Sequence, residues 1–358
     1  MSEIGIFFGA MAIVRSAFQL VGGEISDRME RNKLMIYSQI FRAIAFLFLA
    51  VSIYREWGFW PVATALLINS IFGAIFQPVA NAMVSDILPY EKRLDGYAIT
   101  RSAGNLGWAV GPAIGGFLAG YSYGLLFIIS SGVTLISGLV FLFFLRPPEG
   151  AVVQDRFKLS DLLAIRSDPN LVRHSILIFV LYLVVAQLMA PFSVYAVEMV
   201  KITEYQLGLL YTVNGLMVVL LQIPVTKLLA RYRLTVQLAM GAFVYAIGYG
   251  MVGVLTGFEF LVLAIMVVTM GEIFMSPPSL ALTSRLAPEG RMGRYMGIFG
   301  FFVASGWSFG PLYGGIILDH FGSNAPLAWA LISSLAILSG VGYMLFTRRL
   351  PEKFNVQQ

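Results

Sequence analysis

The sequence predicts an all-α integral membrane protein, two parallel-repeat helix bundles with eleven transmembrane helices divided five and six. Three observations predict it. Apolar runs of about 20 residues, the length that spans a bilayer, recur from one end of the chain to the other. Only 12% of the 358 residues are charged and 58% are hydrophobic, with a mean hydropathy of +0.81; a soluble domain carries about a quarter charged residues. One pattern of glycine, tryptophan and proline also occurs twice. A surface this poor in charge is solvated by lipid, so the bilayer is the first expected partner.

In chain order the spans are 4–22, 34–54, 59–84, 96–120, 124–145, 173–198, 205–229, 234–256, 259–283, 293–317 and 326–346. Charge marks where they stop. Arg28, Arg31 and Lys33 separate the first from the second, Arg55 the second from the third, and Lys92 and Arg93 the third from the fourth. Arg146-Pro147-Pro148 ends the fifth and opens 146–172, which also carries Arg156, Lys158, Arg166 and Asp168 and reads as a polar linker. The linker divides an N-terminal bundle, 1–145, from a C-terminal bundle, 173–346, which is followed by a tail, 347–358. Within the second bundle Lys201, then Arg231 and Arg233, then Arg285 and Arg291 lie between spans, and Lys227 stands at the end of 205–229.

All but four of the 24 Lys and Arg fall on one set of helix ends; Arg55 and Lys201 lie on the opposite set, and Arg15 and Arg42 fall inside spans. Basic loops stay in the cytoplasm during insertion. The basic loops, the linker and the C-terminus are therefore expected to be cytoplasmic, in a multi-pass protein of the cell membrane. The net charge of +5 is this bias, and no nucleic-acid partner is expected. With no cysteine, disulfides and thiolate metal sites are excluded, and His174 and His320 lie too far apart for a metal pattern. No nucleophile–base or metal constellation marks an enzyme, so no metal and no cofactor are expected. No cationic segment with a small-residue cleavage site opens the chain, so no cleaved signal peptide is expected.

Gly107-Trp108-x-x-Gly111-Pro112-x-x-Gly115-Gly116 returns 199 residues on as Gly306-Trp307-x-x-Gly310-Pro311-x-x-Gly314-Gly315. The same offset joins Pro78 to Pro277, Ser85 to Ser284 and Pro89 to Pro288; earlier, an offset of 203 joins Gly5 to Gly208, Gln19 to Gln222 and Arg28 to Arg231. Such a parallel repeat is a layout of secondary transporters. Span 173–198 has no partner in this register, because subtracting 203 gives a position before residue 1. The expectation is a chain that lacks its first transmembrane helix, through a late start codon or truncation, with a genuine eleven-helix protein as the alternative.

Gly107, Gly111 and Gly115 lie four apart on one helix face, and Gly306, Gly310 and Gly314 repeat the spacing. Small residues at that spacing let a second helix approach closely in lipid. Pro112 and Pro311 each remove a hydrogen bond to the carbonyl of Trp108 or Trp307 and favour a kink. With Gly116 and Gly315, the two copies resemble motif C of the major facilitator superfamily, which is associated there with drug/proton antiporters. The loop Gly23-Glu24-Ile25-Ser26-Asp27-Arg28-Met29-Glu30-Arg31-Asn32-Lys33 resembles motif A of the same superfamily. Gly23, Asp27, Arg28 and Arg31 match; Glu30 replaces the usual turn glycine, and the next basic residue has slipped to Lys33. The resemblance implies a conformational latch with Asp27 near a helix N-terminus, where a carboxylate gains up to about 1 kcal/mol. The second copy, Lys227 to Arg233, keeps Arg231 but has Ala230 in the place of the aspartate. Motif B of the drug/proton antiporters puts an arginine four residues before Gly73, where this chain has Asn69.

An ionised side chain at the bilayer centre costs about 2.5–3.5 kcal/mol on insertion scales, so such residues face a bundle interior or a wet cavity. Glu272 lies near mid-depth in 259–283, ahead of Pro277-Pro278. A carboxyl in an apolar wall can exchange protons near neutral pH. Arg15 lies mid-span in 4–22 and Arg101 early in 96–120. Arg42, eight residues into 34–54, is placed to snorkel to the interface. Asn69, Gln77 and Asn81, around Pro78, are spaced eight and four apart, close to one helix face. Span 173–198 adds Tyr182, Gln187, Pro191 and Tyr195, and span 205–229 adds Asn214 and Gln222. The candidate substrate or proton site is Glu272, Arg15, Arg101, Asn69, Gln77, Asn81, Gln187 and Tyr182.

Asp27-Arg28, the glycine–proline pattern, and Gly271-Glu272-x-x-x-x-Pro277 leading to Arg291-x-Gly293-Arg294-Tyr295-x-Gly297 together look like bacterial drug/proton antiporters of the MdtH type. The resemblance implies the major facilitator fold, with the spans counted as helices 2–6 and 7–12 of twelve. It also implies a monomer that exports drugs or amphipathic small molecules by alternating access, driven by the proton gradient without a cofactor. Two alternatives remain: transport of one metabolite (a sugar, amino acid or organic anion, the last favoured by Arg15 and Arg101), and a truncated chain without transport activity.

Overall fold

The structure, a computed structural model, describes residues 2–145 and 168–356, so most of the linker expected at 146–172 lies outside the described residues. The described helices are α1 (Ser2–Ser26), α2 (Arg31–Tyr54), α3 (Phe59–Ile87), α4 (Arg93–Tyr121), α5 (Tyr123–Phe144), α6 (Pro169–Met199), α7 (Glu204–Leu229), α8 (Leu234–Val254), α9 (Phe258–Leu286), α10 (Met292–Phe321), α11 (Ala325–Thr347) and the short α12 (Glu352–Asn355). Among the described residues there is no strand, and nine helices are long and apolar enough to cross a membrane. Helices α1 and α4 occupy the two remaining spans expected from the sequence. The protein is a multi-pass membrane protein.

Helix ends follow the local chemistry. The Asp168 side chain caps α6, accepting from the backbone N–H of Asn170 at 2.9 Å, with Pro169 in the first turn where its missing N–H costs nothing. Thr203 and Gln206 form a capping box at the start of α7. Proline inside a span leaves a carbonyl without its helical donor, and lipid offers no replacement. Pro277 does this to the Ile273 carbonyl in α9, and Gln222 of α7 supplies the missing donor from Nε2 at 3.1 Å. Helix α6 is interrupted: a 3-10 turn at Ala186–Leu188 precedes a new start at Ala190, and the Tyr211 hydroxyl donates to the Leu188 carbonyl at 2.8 Å.

The repeat is visible in the helix ends. Phe59–Ile87 and Phe258–Leu286 are both 29 residues long, with starts and ends 199 apart. Helix α4 begins at Arg93 and α10 at Met292, again 199 apart, while α1 ends at Ser26 and α7 at Leu229, 203 apart.

The chain forms two compact units, the first from Met1–Pro89, Val110–Ile165 and Ala287–Ala304, the second from Tyr90–Ala109, Arg166–Leu286 and Ser305–Gln358. In the first, α2 packs on α3 and α5, and α1 on α3, around Leu34, Met35, Ile75, Val79 and Met83. Gly22 brings α1 close: a Cβ there would lie 2.7 Å from the Ile75 Cα. In the second, α8 packs on α9 and α11, α9 on α7, and α11 on α6. Buried aromatics join these layers, with the Tyr249 ring stacked on Trp329 at 5.6 Å. Ile44, Phe143 and Phe144 of the first unit and Leu220, Val254 and Leu338 of the second point outward, as lipid-facing residues must. The tail expected at 347–358 includes α12, held in the second unit where Asn355 accepts from the backbone N–H of Thr235 at 3.0 Å.

Candidate functional site

In the second unit, two of the sequence candidates meet. Arg101 of α4 forms an ion pair with Glu272 of α9. Glu272 is the central residue of Phe258–Leu286, about 21 Å along the helix from either end. Its side chain is 13% exposed, so the pair is shielded without being sealed. Asn214 of α7 donates from Nδ2 to Glu272 Oε2 at 3.1 Å and to Thr269 Oγ1 at 2.9 Å. Tyr182 of α6 lies near enough to feel the charge of Arg101. Three helices thus meet at one carboxylate, with α6 close by. Thr269 and Ser276 stand three before and four after Glu272, on its helix face; that spacing is readable in the sequence and was missed there.

Gln187, expected beside this group, is instead fully buried in packing: its Nε2 donates to the Leu183 carbonyl and to the Gly310 carbonyl, both at 2.7 Å. It ties α6 to α10 beside the second copy of the glycine–proline pattern. A Cβ added at Gly306 would lie 2.5 Å from Tyr182 Cβ, and one at Gly310 would lie 2.5 Å from Ala186 Cβ. At Gly314 it would meet Gln187 and, at 2.7 Å, Pro191. Here the small residues admit a helix, as expected, with Pro311 in the same stretch of α10. The first copy differs. A Cβ at Gly107, Gly111 or Gly115 would meet open space, as would one at Gly315. The close contact expected on that face of α4 is therefore absent among the described residues, and the side chains of Pro112 and Gly116 lie outside them. Gly111 and Gly115 instead border an apolar groove of about 360 Å³, shared with Phe46 of α2 and Ile129 and Val133 of α5.

In the first unit the polar residues of α3 separate. Gln77 pairs with Asn81, its Nε2 donating to Asn81 Oδ1 at 3.4 Å. Asn69 pairs with Arg42 of α2, whose Nε donates to Asn69 Oδ1 at 3.1 Å and whose Nη1 donates to Gln39 Oε1 at 2.9 Å. Gln39 in turn donates to Ser137 of α5 at 2.9 Å. Arg42 was expected to snorkel. Helix α2 begins at Arg31, earlier than expected, so Arg42 sits at its middle, and the two amide oxygens hold its guanidinium there. A guanidinium thus stands beside Asn69, where motif B would have one, but it comes from a neighbouring helix; it lies 3.8 Å from a Cβ position on Gly73. Arg15 of α1 is exposed and close enough for its charge to act on Arg42.

The loop after α1 forms a clasp within the first unit. Asp27 accepts from the backbone N–H of Gly293 at 2.6 Å and of Arg294 at 2.7 Å, the free donors at the start of α10. Arg31 binds Asp27 at 2.8 Å and also pairs with Asp86. Glu24, which the sequence reading passed over, is the second carboxylate: Arg294 grips it with Nε at 2.7 Å and Nη2 at 2.8 Å, and Arg28 adds Nη2 at 2.6 Å. Gly23, Gly293 and Gly297 make the crossing possible, since a Cβ on Gly23 would meet the Gly293 carbonyl and lie 2.6 Å from the Gly297 Cα. Burial pushes the Asp27 carboxyl up, against the two backbone donors and Arg31. Burial acts on Glu24 in the same direction, but Arg294 and Arg28 outweigh it and hold that carboxyl below its ordinary range.

Comparison with known proteins agrees with this architecture. The chain is 28% identical over 297 residues to the MFS-type transporter YttB of Bacillus subtilis (strain 168), covering 81% of this chain and 74% of YttB. It is 22% identical over 348 residues to the multidrug resistance protein MdtH of Shigella boydii serotype 4, covering 94% of this chain and 83% of MdtH. The crystal structure of the human organic anion transporter MFSD10 superposes with a TM-score of 0.82, covering 95% of this chain and 83% of that one; at 18% identity this likeness speaks for the fold. Family and fold are those of transporters rather than enzymes. With residues 1–311 and 188–357 both matching its profile, the chain belongs to the Major Facilitator Superfamily.

Proposed function

We propose that the chain is a proton-coupled secondary transporter that exports amphipathic small molecules across the cell membrane by alternating access, with its basic loops and C-terminus in the cytoplasm. The observation that carries this reading is the Arg101–Glu272 pair at mid-depth, held by Asn214 and approached by Tyr182. Protonation of Glu272 removes the charge that holds Arg101, so the pair has two arrangements that differ by one proton. A proton taken up on one side and released on the other then drives the substrate the opposite way. The Asp27 clasp on α10 is the latch whose release accompanies that change. The likeness to MdtH, a multidrug resistance protein, supports drugs as the substrates.

The test is uptake of amphipathic dyes into proteoliposomes under an imposed pH gradient. Glu272→Gln should lower gradient-driven flux about 100-fold or more, to the protein-free background, with expression retained. Flux unchanged by the substitution makes Glu272 structural, and flux indifferent to the gradient removes the proton. The open face at Gly111 and Gly115 favours a second reading, that the described chain binds substrate without moving it. Absence of flux from the unaltered chain, with dye binding intact, decides for that reading.

A further inference from the structure

The two units handle charge at membrane depth differently. Arg101 in the second is neutralised by Glu272. In the first, among the described residues, Arg42 is held only by the neutral oxygens of Asn69 and Gln39, and neither it nor Arg15 forms an ion pair. Two cations close enough to repel, placed in apolar surroundings without a carboxylate, are a costly arrangement for an empty protein. The arrangement is also built. Ser137 engages the amide nitrogen of Gln39, which leaves Gln39 Oε1 for Arg42, and Asn69 fixes the guanidinium from the other helix. Nε and one Nη1 hydrogen are used, while Nη2 has no acceptor among the described residues. A guanidinium fixed along one edge with its far nitrogen free can donate a fork to a carboxylate, sulfonate or phosphate.

We propose that Arg42, positioned by Asn69 and Gln39 and assisted by Arg15, is the binding site for an anionic group on the transported molecule, making the substrates organic anions with an apolar body. The apolar body suits the surroundings, where Phe41 and Phe72 stack at 4.6 Å on the two helices that carry Arg42 and Asn69. This inference rests on the transporter reading for its biological meaning, but its test needs no transport.

Two xanthene dyes of similar shape and opposite charge serve as probes: carboxyfluorescein, an anion, and rhodamine 6G, a cation. Fluorescence polarisation on the purified chain in detergent measures their equilibrium binding. The unaltered chain should bind carboxyfluorescein more tightly than rhodamine 6G. Arg42→Gln should weaken carboxyfluorescein binding about ten-fold or more while leaving rhodamine 6G unaffected. The double variant Arg42→Gln/Asn69→Arg, which moves the guanidinium across the existing contact, should recover most of the loss and so separates charge placement from misfolding. Preference for rhodamine 6G, no binding of carboxyfluorescein, equal carboxyfluorescein affinity in Arg42→Gln, or no recovery in a folded double variant each overturns the proposal. Binding that passes these tests without gradient-driven flux would refute the proposed function and leave this site standing.

Discussion

The two copies of the repeat share a backbone register and differ in almost every functional detail. Gly306, Gly310 and Gly314 are filled by α6, while Gly107, Gly111 and Gly115 face open space. Asp27 clasps the start of α10, whereas the corresponding loop of the second copy has Ala230, and its Arg231 donates to the neighbouring Tyr232 hydroxyl. Membrane-depth charge is balanced where Arg101 of the first copy meets Glu272 of the second and, among the described residues, unbalanced around Arg42 of the first. Backbone symmetry follows from the positions of glycine and proline, which both copies keep. Function needs asymmetry, and it is written in the few side chains that the copies do not share.

The largest expected effect tests the packing contrast. Gly310→Leu drives a side chain into Ala186 and Leu183 and should cost about 1–3 kcal/mol, read as a fall in the thermal unfolding midpoint in detergent. Gly111→Leu enters open space and should stay within about 0.5 kcal/mol of the parent. Equal losses at the two sites would erase the contrast.

The clasp comes next. Asp27→Ala removes a carboxylate from a helix N-terminus, worth about 1 kcal/mol, or roughly five-fold in the closed–open equilibrium. Hydrogen exchange at the Gly293 and Arg294 amides should quicken by that factor, since those N–H groups are the ones Asp27 binds. No change would mean that the contact is not kept in solution.

The smallest effect is in pH. Arg294 and Arg28 hold the Glu24 carboxyl below its ordinary 4.5 in spite of burial, so its contribution is complete above that value and is lost as pH falls through the lower folded value. Asp27, pushed up by burial, has the opposite slope just above 3.8, which makes a matched variant necessary. On acidification below 4.5 the parent should lose more thermal stability than Glu24→Gln; parallel curves would remove Glu24 from the clasp.

Helices and register were legible because both rest on local signals: apolar runs, proline and glycine positions, and charges at helix ends. Asp27 was legible through its motif. Arg101 and Glu272 were each visible as costly charges, but their pairing was not, because nothing local links residues so far apart in sequence. Arg42 was misread through a helix boundary placed three residues late. Gln187 was read as facing substrate, yet a glutamine opposite a glycine face can equally staple two helices, and sequence alone does not choose. Glu24 was hidden because a carboxylate in a loop full of arginines looks ordinary until one of its partners, Arg294, arrives from 270 residues away.

The central claim is that a proton on Glu272 and an anion at Arg42 belong to one transport cycle. Gradient-driven flux of carboxyfluorescein through proteoliposomes tests it most directly. The account predicts flux in the parent that falls to the protein-free background in both Glu272→Gln and Arg42→Gln. Flux that survives either substitution would contradict it.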